Sequence, residues 1–437
     1  MLVMKFGGSS VKDANLFHQV KEIVTKKLNK KPVVVLSAVK GTTDLLFLAI
    51  DEALNGVFTS YNTICNNHKK IISDLEIDNN IIDDELKELR NVLDVICKTK
   101  DKSKQMFDYV SFFGERMCVK IFSALLNKEN INAKSYVSGE IGMITNSNFG
   151  DARLLPESYD LLNKNILAMD HIPVITGFGG KDKLGEFTTF QRGGSDYVAS
   201  LIGAAINAEA IEIWTDVNGI LSTNPKIVPE ARTIPLLTFD EASELAYFGA
   251  KVLHPKTILP AIKKNIPVYV LNTYEPDNPG SKIVSMTNDV SGVKGISYKK
   301  GIIVIYVKST RMLDAYGFMA KIFEIFNKYH KPVDMISTSE VSVSITVDSP
   351  DFVDKICNDL TGIALTEVFI NRAILYIVGQ GMNKKLGVAG KMFSALGDHQ
   401  INVEMISQCN DEVSIGCVVK EDDVEDAVKA LHKTFIL

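Results

Sequence analysis

The stretch Gln191-Arg192-Gly193-Gly194-Ser195-Asp196 sets an arginine, a serine and an aspartate around a glycine pair. It directly precedes apolar positions with helical spacing: Tyr197, Val198, Leu201, Ile202 and Ala205. A glycine turn that opens a helix presents backbone N–H groups, which suits an anion. The polar side chains there could hold a charged substrate and organise chemistry. The same residues also read as a plain helix start, with Ser195 as N-cap and two turn glycines. A second such stretch opens the chain. Lys5-Phe6-Gly7-Gly8-Ser9-Ser10 follows the apolar run Leu2-Val3-Met4 and precedes a helical pattern at Phe17, Val20, Val24 and Leu28. Strand, glycine turn and helix make a phosphate cradle, with Lys5 at the strand's C-terminal end, where ligands of α/β proteins bind. Neither Walker A nor G-x-G-x-x-G spacing occurs, so a cradle here is of another type. The alternative is a solvated strand-end lysine.

Several further elements repeat this layout. The apolar run 33–36 predicts a buried parallel strand. It ends at Ser37 and the polar turn Gly41-Thr42-Thr43-Asp44, before a helix through Leu45, Leu46, Leu48 and Ile50. Residues 51–105 read as a polar, largely helical excursion without chemistry. Val110 to Arg116 leads into an apolar helix through Met117, Ile121 and Leu125. Glu115 is then either a first-turn acid favoured by the helix dipole or a ligand for a cationic group. Strands are expected at 172–176, 211–214 and 267–271, followed respectively by Gly177-Phe178-Gly179-Gly180, by Thr215-Asp216 and by a polar segment. A helix is expected over 241–249. Alternating strands and helices without hairpin signals predict a parallel sheet covered on both faces, with the ligand site at the strand C-termini.

Residues 272–295 are rich in Pro, Asp, Asn, Ser and Gly, and their later half reads as a linker. Beyond it the chain matches itself without gaps at a shift of 70 residues. Gly317, Lys321 and Phe323 recur as Gly387, Lys391 and Phe393. Val333, Met335, Ile336 and Ser337 recur as Val403, Met405, Ile406 and Ser407, and Val343-Ser344-Ile345 as Val413-Ser414-Ile415. Each copy reads βαββαβ, the ferredoxin-like pattern, although the second has only residues 435–437 left for its last strand. A chemically quiet pair of modules suggests regulation by a small ligand, or else a dimerisation module.

Length and composition bound the rest. The 437 residues suffice for two or three domains, and 46% hydrophobic with 23% charged residues is ordinary for a globular protein. A net charge of −5 gives no basic field for nucleic acid. The six cysteines form no C-x-x-C pair, which argues for reduced thiols and against a zinc site. No signal peptide or membrane-length apolar run is apparent, so the expectation is a cytoplasmic protein.

Taken together, these motifs resemble a known set. Lys5-Phe6-Gly7-Gly8-Ser9-Ser10, Phe113-Gly114-Glu115-Arg116, Arg192-Gly193-Gly194-Ser195-Asp196 and Trp214-Thr215-Asp216-Val217 occur in order. Phe248-Gly249-Ala250-Lys251-Val252-Leu253-His254-Pro255 and Ser339-Glu340-Val341-Ser342 follow. The chain is similar to the monofunctional aspartate kinases. That resemblance implies an α/β fold: a three-layer αβα amino-acid-kinase (carbamate-kinase-like) domain, then two ferredoxin-like βαββαβ ACT domains. The implied boundaries are residues 1–285 for the catalytic domain, with an amino-acid lobe to about 180 and a nucleotide lobe from about 181. A linker over 286–298 and ACT domains over 299–370 and 371–437 complete it. The implied reaction is ATP-dependent phosphorylation of the β-carboxylate of L-aspartate, with Mg²⁺ carried mainly by the nucleotide phosphates.

Residue roles follow from the resemblance. Lys5 would stabilise the transferring phosphoryl group and Asp196 would organise the site. Ser37, Thr43, Glu115, Arg192 and Ser195 would bind aspartate, Glu115 through its ammonium group and Arg192 through its α-carboxylate. Lys5, Phe6, Gly7, Gly8, Ser9, Thr215, Asp216, Leu221, Lys226, Lys251 and Val252 would contact nucleotide. Leu221 and Lys226 depart from the tyrosine and arginine of some members; lysine keeps the charge but loses the planar fork. Met312, Val333, Asp334 and Glu340 match the effector positions of lysine-inhibited members, while Ala315 and Pro332 replace serines there. Lysine is the expected effector, threonine the alternative. Asp334 and its repeat partner Glu404 also read as solvated strand-edge acids. A homodimer or homotetramer through the ACT domains is expected, with no nucleic-acid or membrane partner. Two other readings remain open: another acyl-phosphate-forming amino-acid kinase, and a non-enzymatic amino-acid sensor with a relict kinase domain. Retention of Lys5 and Asp196 speaks against the sensor.

Overall fold

The N-terminal apolar run forms the strand Leu2–Phe6, which lies inside an eight-stranded sheet. The computed structural model describes the chain apart from residues 192, 249–254, 288–291, 310–311, 313–315, 383–384 and 409–412. Across the sheet the order is Ala133–Tyr136, Ile172–Thr176, Pro32–Leu36, Leu2–Phe6, Ala210–Thr215, Val268–Asn272, Ser281–Val284 and Leu236–Thr238. From Leu2–Phe6 the chain winds out to one side through Pro32–Leu36. Later it crosses to the other through Ala210–Thr215. Val33, Val34 and Val35 are all fully buried, as a strand covered on both faces requires. On one face Leu2, Met4 and Phe6 pack with Phe17, Val20 and Val24 of the helix Ala14–Thr25 and with Phe113, Met117 and Ile121 of Lys104–Lys128. Asp13 caps the first of these helices by accepting from Leu16 N–H. The helix Gly194–Ala205 lies against the strand Leu2–Phe6 as well.

Three local expectations are corrected. The helix bearing Glu115 starts at Lys104, ahead of the Val110 to Arg116 stretch expected to lead into it, and Ser103 caps it. Its 25 residues place Glu115 in the middle, so Glu115 is not a first-turn acid. Hairpins do occur: Gly179–Asp182 pairs antiparallel with Phe187–Thr189 in a small separate sheet, and Val268–Asn272 pairs antiparallel with Ser281–Val284. Asp182 Oδ1 accepts from the N–H groups of Leu184 and Glu186 and closes the first of these turns. The strand Ser281–Val284 lies unannounced in the polar stretch ahead of the expected linker, and the next strand begins at Gly295, inside the 286–298 bounds.

The chain divides into two compact units. The first holds Met1–Ile220, Pro235–Phe239 and Val252–Met286; the second holds Leu221–Ile234, Asp240–Lys251 and Thr287–Leu437. The second unit is built on one six-stranded sheet. Two 14-residue strands, Gly295–Lys308 and Leu365–Val378, run antiparallel through its centre, and each serves both sequence repeats. Ile303 to Lys308 pairs with Ser342–Val347 and with the first half of Leu365–Val378, which completes the first copy. Gly295 to Lys299 pairs with Ile374 to Val378 and supplies the fourth strand of the second copy. Residues 435–437 are therefore not that strand; the helix Val424–Phe435 runs into them. Segments from upstream join this unit: Val228 enters the second copy's core, and Ser222 Oγ meets His432 Nε2 at 2.9 Å. No helix among the described residues is long and apolar enough to cross a membrane.

Ile296 sits at 2% exposure in the second copy's core although it precedes the first copy in sequence. Ile296→Ala should therefore cost about 2–5 kcal/mol of the second unit's stability, read as a lowered urea midpoint.

Candidate active site

The C-terminal end of Leu2–Phe6 brings Lys5 to a cavity of about 370 Å³ in the first unit. Its walls come from the turn Ser37 to Asp44, from the long helix at Ser111 and Glu115, and from Phe178 and Gly193 to Asp196. Lys5, Gly8, Ser37, Thr43, Glu115, Ser195 and Asp196 line it together. These residues come from widely separated parts of the sequence, and the sheet's strand ends gather them.

Two polar linkages organise the cavity. Lys5 Nζ lies 2.6 Å from Asp196 Oδ1, with both side chains close to nine-tenths buried. The contact is one of opposite charge; Asp196 Oδ1 has no aligned hydrogen-bond donor among the described residues. The second linkage runs Ser37 Oγ to Ser195 Oγ at 3.0 Å and Ser195 Oγ to Glu115 Oε1 at 3.1 Å. Phe178 N–H donates to Glu115 Oε2 at 2.6 Å. Ser195 is not the helix N-cap. Gly193 holds that place at φ 85°, a left-handed conformation that glycine adopts without strain, so Ser195 lies inside the first turn and its hydroxyl is turned to Glu115.

Glu115 is 3% exposed, and burial pushes its carboxyl up to about 7. Hydrogen bonds from Phe178, Ser195 and Gly177 and the Lys5 charge oppose that rise. The helix can carry Glu115 this close because Gly114 has no side chain: a Cβ there would meet Ala38 Cβ at 2.9 Å and Thr42 Cγ2 at 3.3 Å. Further along the helix, Asp108 accepts from Gly150 N–H, Thr189 N–H and Thr189 Oγ1. It thereby ties the helix to the strand that leads into Gln191.

Other expected residues fall outside this cavity. Phe6 is fully buried and stacks on Trp214 at 5.9 Å between ring centroids, so its side chain is core and only its backbone faces a ligand question. Gly7 N–H donates to Trp214 O, which leaves the phosphate reading to the amides of Gly8 and Ser9. Thr215 and Asp216 end the neighbouring strand and bond to each other at 3.2 Å. Leu221 and Lys226 belong to the second unit. Arg192, Lys251 and Val252 lie outside the described residues. Among the effector positions, Met312 and Val333 pack on the first copy's core and Glu340 is exposed. Asp334 is not a solvated edge acid: its side chain is 1% exposed and Lys299 bridges it to Asp348. Glu404 pairs with Arg372 at 2.7 Å. Sequence reasoning missed Lys40, Asp44, Ser111 and Phe178 as lining residues. Asp44 sat in a turn already marked as polar. Ser111 carried no signal, because its place depends on where the long helix begins.

Comparison with known proteins agrees with this geometry. The amino acid kinase family model matches residues 1–272, and an ACT domain model matches 305–354 and 375–435. The class is thus an amino acid kinase domain followed by ACT domains. Aspartokinase 3, chloroplastic, of Arabidopsis thaliana is 38% identical over 455 residues, covering 99% of this chain and 81% of that protein. The crystal structure of E. coli aspartokinase III in complex with aspartate and ADP superposes with a TM-score of 0.83 at 29% identity, covering 100% of both chains. The same enzyme in complex with lysine and aspartate gives 0.81 at 30% identity, again over 100% of both. The chain belongs to the aspartokinase family, and it is a kinase.

The raised Glu115 carboxyl sets a pH signature. The folded chain holds this proton more tightly than the unfolded chain between pH 4.5 and about 7, so the group's contribution to stability falls as pH rises through that window. Glu115→Gln removes the titration. The difference in Tm, variant minus wild type, should grow from pH 4.5 to 7 and level off above, as measured by thermal scans across pH.

Proposed function

We propose that this chain transfers the γ-phosphoryl group of ATP to the β-carboxylate of L-aspartate, giving 4-phospho-L-aspartate. This would be the first step towards lysine, threonine and methionine. The observation that carries the reading is the buried Lys5–Asp196 contact beside the Ser37–Ser195–Glu115 chain in one cavity. A carboxylate with a reference pKa of about 4 is ionised at neutral pH, so the nucleophile needs no general base. Catalysis then consists of positioning and charge neutralisation. Lys5 neutralises charge on the moving phosphoryl group. Asp196 holds Lys5 in place through Oδ1. Its carboxylate is an oxygen donor that would suit Mg²⁺, whose other oxygen ligands would come from nucleotide phosphates and water. Bound Mg²⁺ would supply charge neutralisation on the phosphates. Glu115 receives the substrate ammonium, which draws its raised carboxyl to the charged form. Ser37, Thr43 and Ser195 orient the amino acid, and Arg192 takes its α-carboxylate. Gly8, Ser9, Thr215 and Asp216 face the nucleotide, with Leu221, Lys226, Lys251 and Val252 completing its site.

The ACT copies give feedback control, with lysine as effector and threonine as the alternative. Support comes from the relative that binds lysine and from Asp334, an acid already satisfied by one ammonium, that of Lys299. An effector amine would compete with Lys299 there, with Met312, Val333 and Glu340 around it. Exposed Leu365, Val368, Phe369 and Ile370 favour assembly as a homodimer or homotetramer through these copies.

Purified protein with Mg-ATP and aspartate should yield a hydroxamate when acyl phosphate is trapped with hydroxylamine. Product with glutamate or acetylglutamate and none with aspartate would overturn the reading. Lys5→Ala and Asp196→Ala should each lower turnover by roughly a thousandfold or more with little change in circular dichroism. Titrating lysine, threonine and both against activity should give inhibition by lysine, lost or weakened in Asp334→Ala; inhibition by threonine alone would reassign the effector.

A further inference from the structure

The segment after the strand Val268–Asn272 lies in the Pro-, Asp- and Asn-rich stretch ahead of the expected linker, and it is bonded to two parts of the expected nucleotide site. Thr273 N–H donates to Thr215 O at 2.9 Å and continues the pairing with the neighbouring strand. Thr273 Oγ1 meets Ser10 Oγ at 2.7 Å, and both side chains are fully buried. Tyr274 is 46% exposed, and its hydroxyl donates to Ser9 O at 3.1 Å. Ser10 N–H donates to Gly7 O. The Ser9–Ser10 peptide unit is therefore held at its carbonyl by Tyr274 and at its N–H by Gly7, while Thr273 holds the next side chain.

The same segment reaches the other side. Asn272 Nδ2 donates to Asn218 Oδ1 at 2.7 Å, and Asn218 Nδ2 donates to Glu275 Oε2 at 2.9 Å. Asn272 Oδ1 also accepts from Tyr274 N–H, which fixes the turn on itself. Asn218 stands two residues past Asp216 in the turn that ends the strand Ala210–Thr215. One four-residue turn thus sets the spacing between the glycine loop and the Thr215–Asn218 turn.

We propose that residues 272–275 form a positioning element for the nucleotide, with Tyr274 and Thr273 fixing the Gly8–Ser9 loop through hydrogen bonds. The inference rests on the phosphoryl-transfer reading above. Preorganised amides bind an anion more tightly than amides that must be ordered on binding, so this element acts on nucleotide affinity and leaves the amino-acid side alone. Neither residue touches the reacting atoms; both are positioning residues. The phenol is the part that matters, since the ring also carries Lys12 Nζ at 5.4 Å and a phenylalanine keeps that contact.

The test uses the full chain and four variants: Tyr274→Phe, Tyr274→Leu, Thr273→Val and Thr273→Ser. Steady-state kinetics should give a KM for Mg-ATP raised roughly three- to tenfold in Tyr274→Phe and Thr273→Val. The KM for aspartate should stay within about twofold, and the Tm without nucleotide within a few degrees. Thr273→Ser keeps the hydroxyl and should restore the wild-type value. Tyr274→Leu should lose affinity at least as far as Tyr274→Phe. An unchanged KM for Mg-ATP in Tyr274→Phe and Thr273→Val overturns the inference, and so does a parallel loss of both KM values and of Tm. If wild type itself forms no acyl phosphate from aspartate, the functional reading fails first, which is a separate outcome.

Discussion

The contact between Lys5 and Asp196 fixes what the rest of the first unit must do. Two opposite charges 2.6 Å apart and nearly out of water are costly to separate, since either one alone would be left buried and unpaired. The pair therefore locks the end of the strand Leu2–Phe6 to the first turn of the helix Gly194–Ala205. Everything around it follows. The strand needs covered neighbours to bury Lys5's surroundings, and the helix needs a glycine start so that Ser195 and Asp196 reach the same cavity. Gly114 lets a third element approach until Glu115 joins them. The result is a small cavity on which Lys5, Glu115 and Asp196 converge. Such a site meets developing charge without rearranging, which is how positioned groups lower a phosphoryl-transfer barrier.

Sequence made the strand ends legible. Lys5, Ser37, Ser195 and Asp196 each follow or precede a glycine-bearing turn next to an apolar run, and local pattern suffices to place such residues at one edge of a sheet. The repeat was legible too, because ungapped identity at a fixed shift needs no structural knowledge. Helix starts were less so. The apolar periodicity of 117–125 is clear, but the residues before it carry mixed polarity, with Lys104 and Gln105 exposed and Phe112 and Phe113 buried. That single boundary moved Glu115 from a helix end to a helix middle and hid Ser111. The turn at 272–275 and the strand Ser281–Val284 escaped the sequence reading for a related reason. Pro, Asp, Asn and Gly mark turns, and turns between tightly packed strands have the same composition as loose connections. Distinguishing them takes knowledge of what Thr273 and Tyr274 touch, which is 263 and 265 residues away in the chain.

The acids also show how environment divides the same chemistry. Glu115 and Asp334 are both buried, yet one is bonded to backbone and hydroxyl groups and the other to an ammonium. Burial lifts Glu115 towards neutrality against the pull of its hydrogen bonds and of the Lys5 charge. Asp334 already has its cation in Lys299.

The long strands of the second unit have a topological consequence. Because Gly295 to Lys299 completes the second copy, that copy begins before the first copy and resumes after it. The first copy is thus an insertion within the second, although the repeat reads as a simple tandem. Lys299 lies directly opposite Ile374 in an antiparallel pair. The chain can therefore be rejoined there by a short hairpin, excising the first copy while leaving the second with all four of its strands.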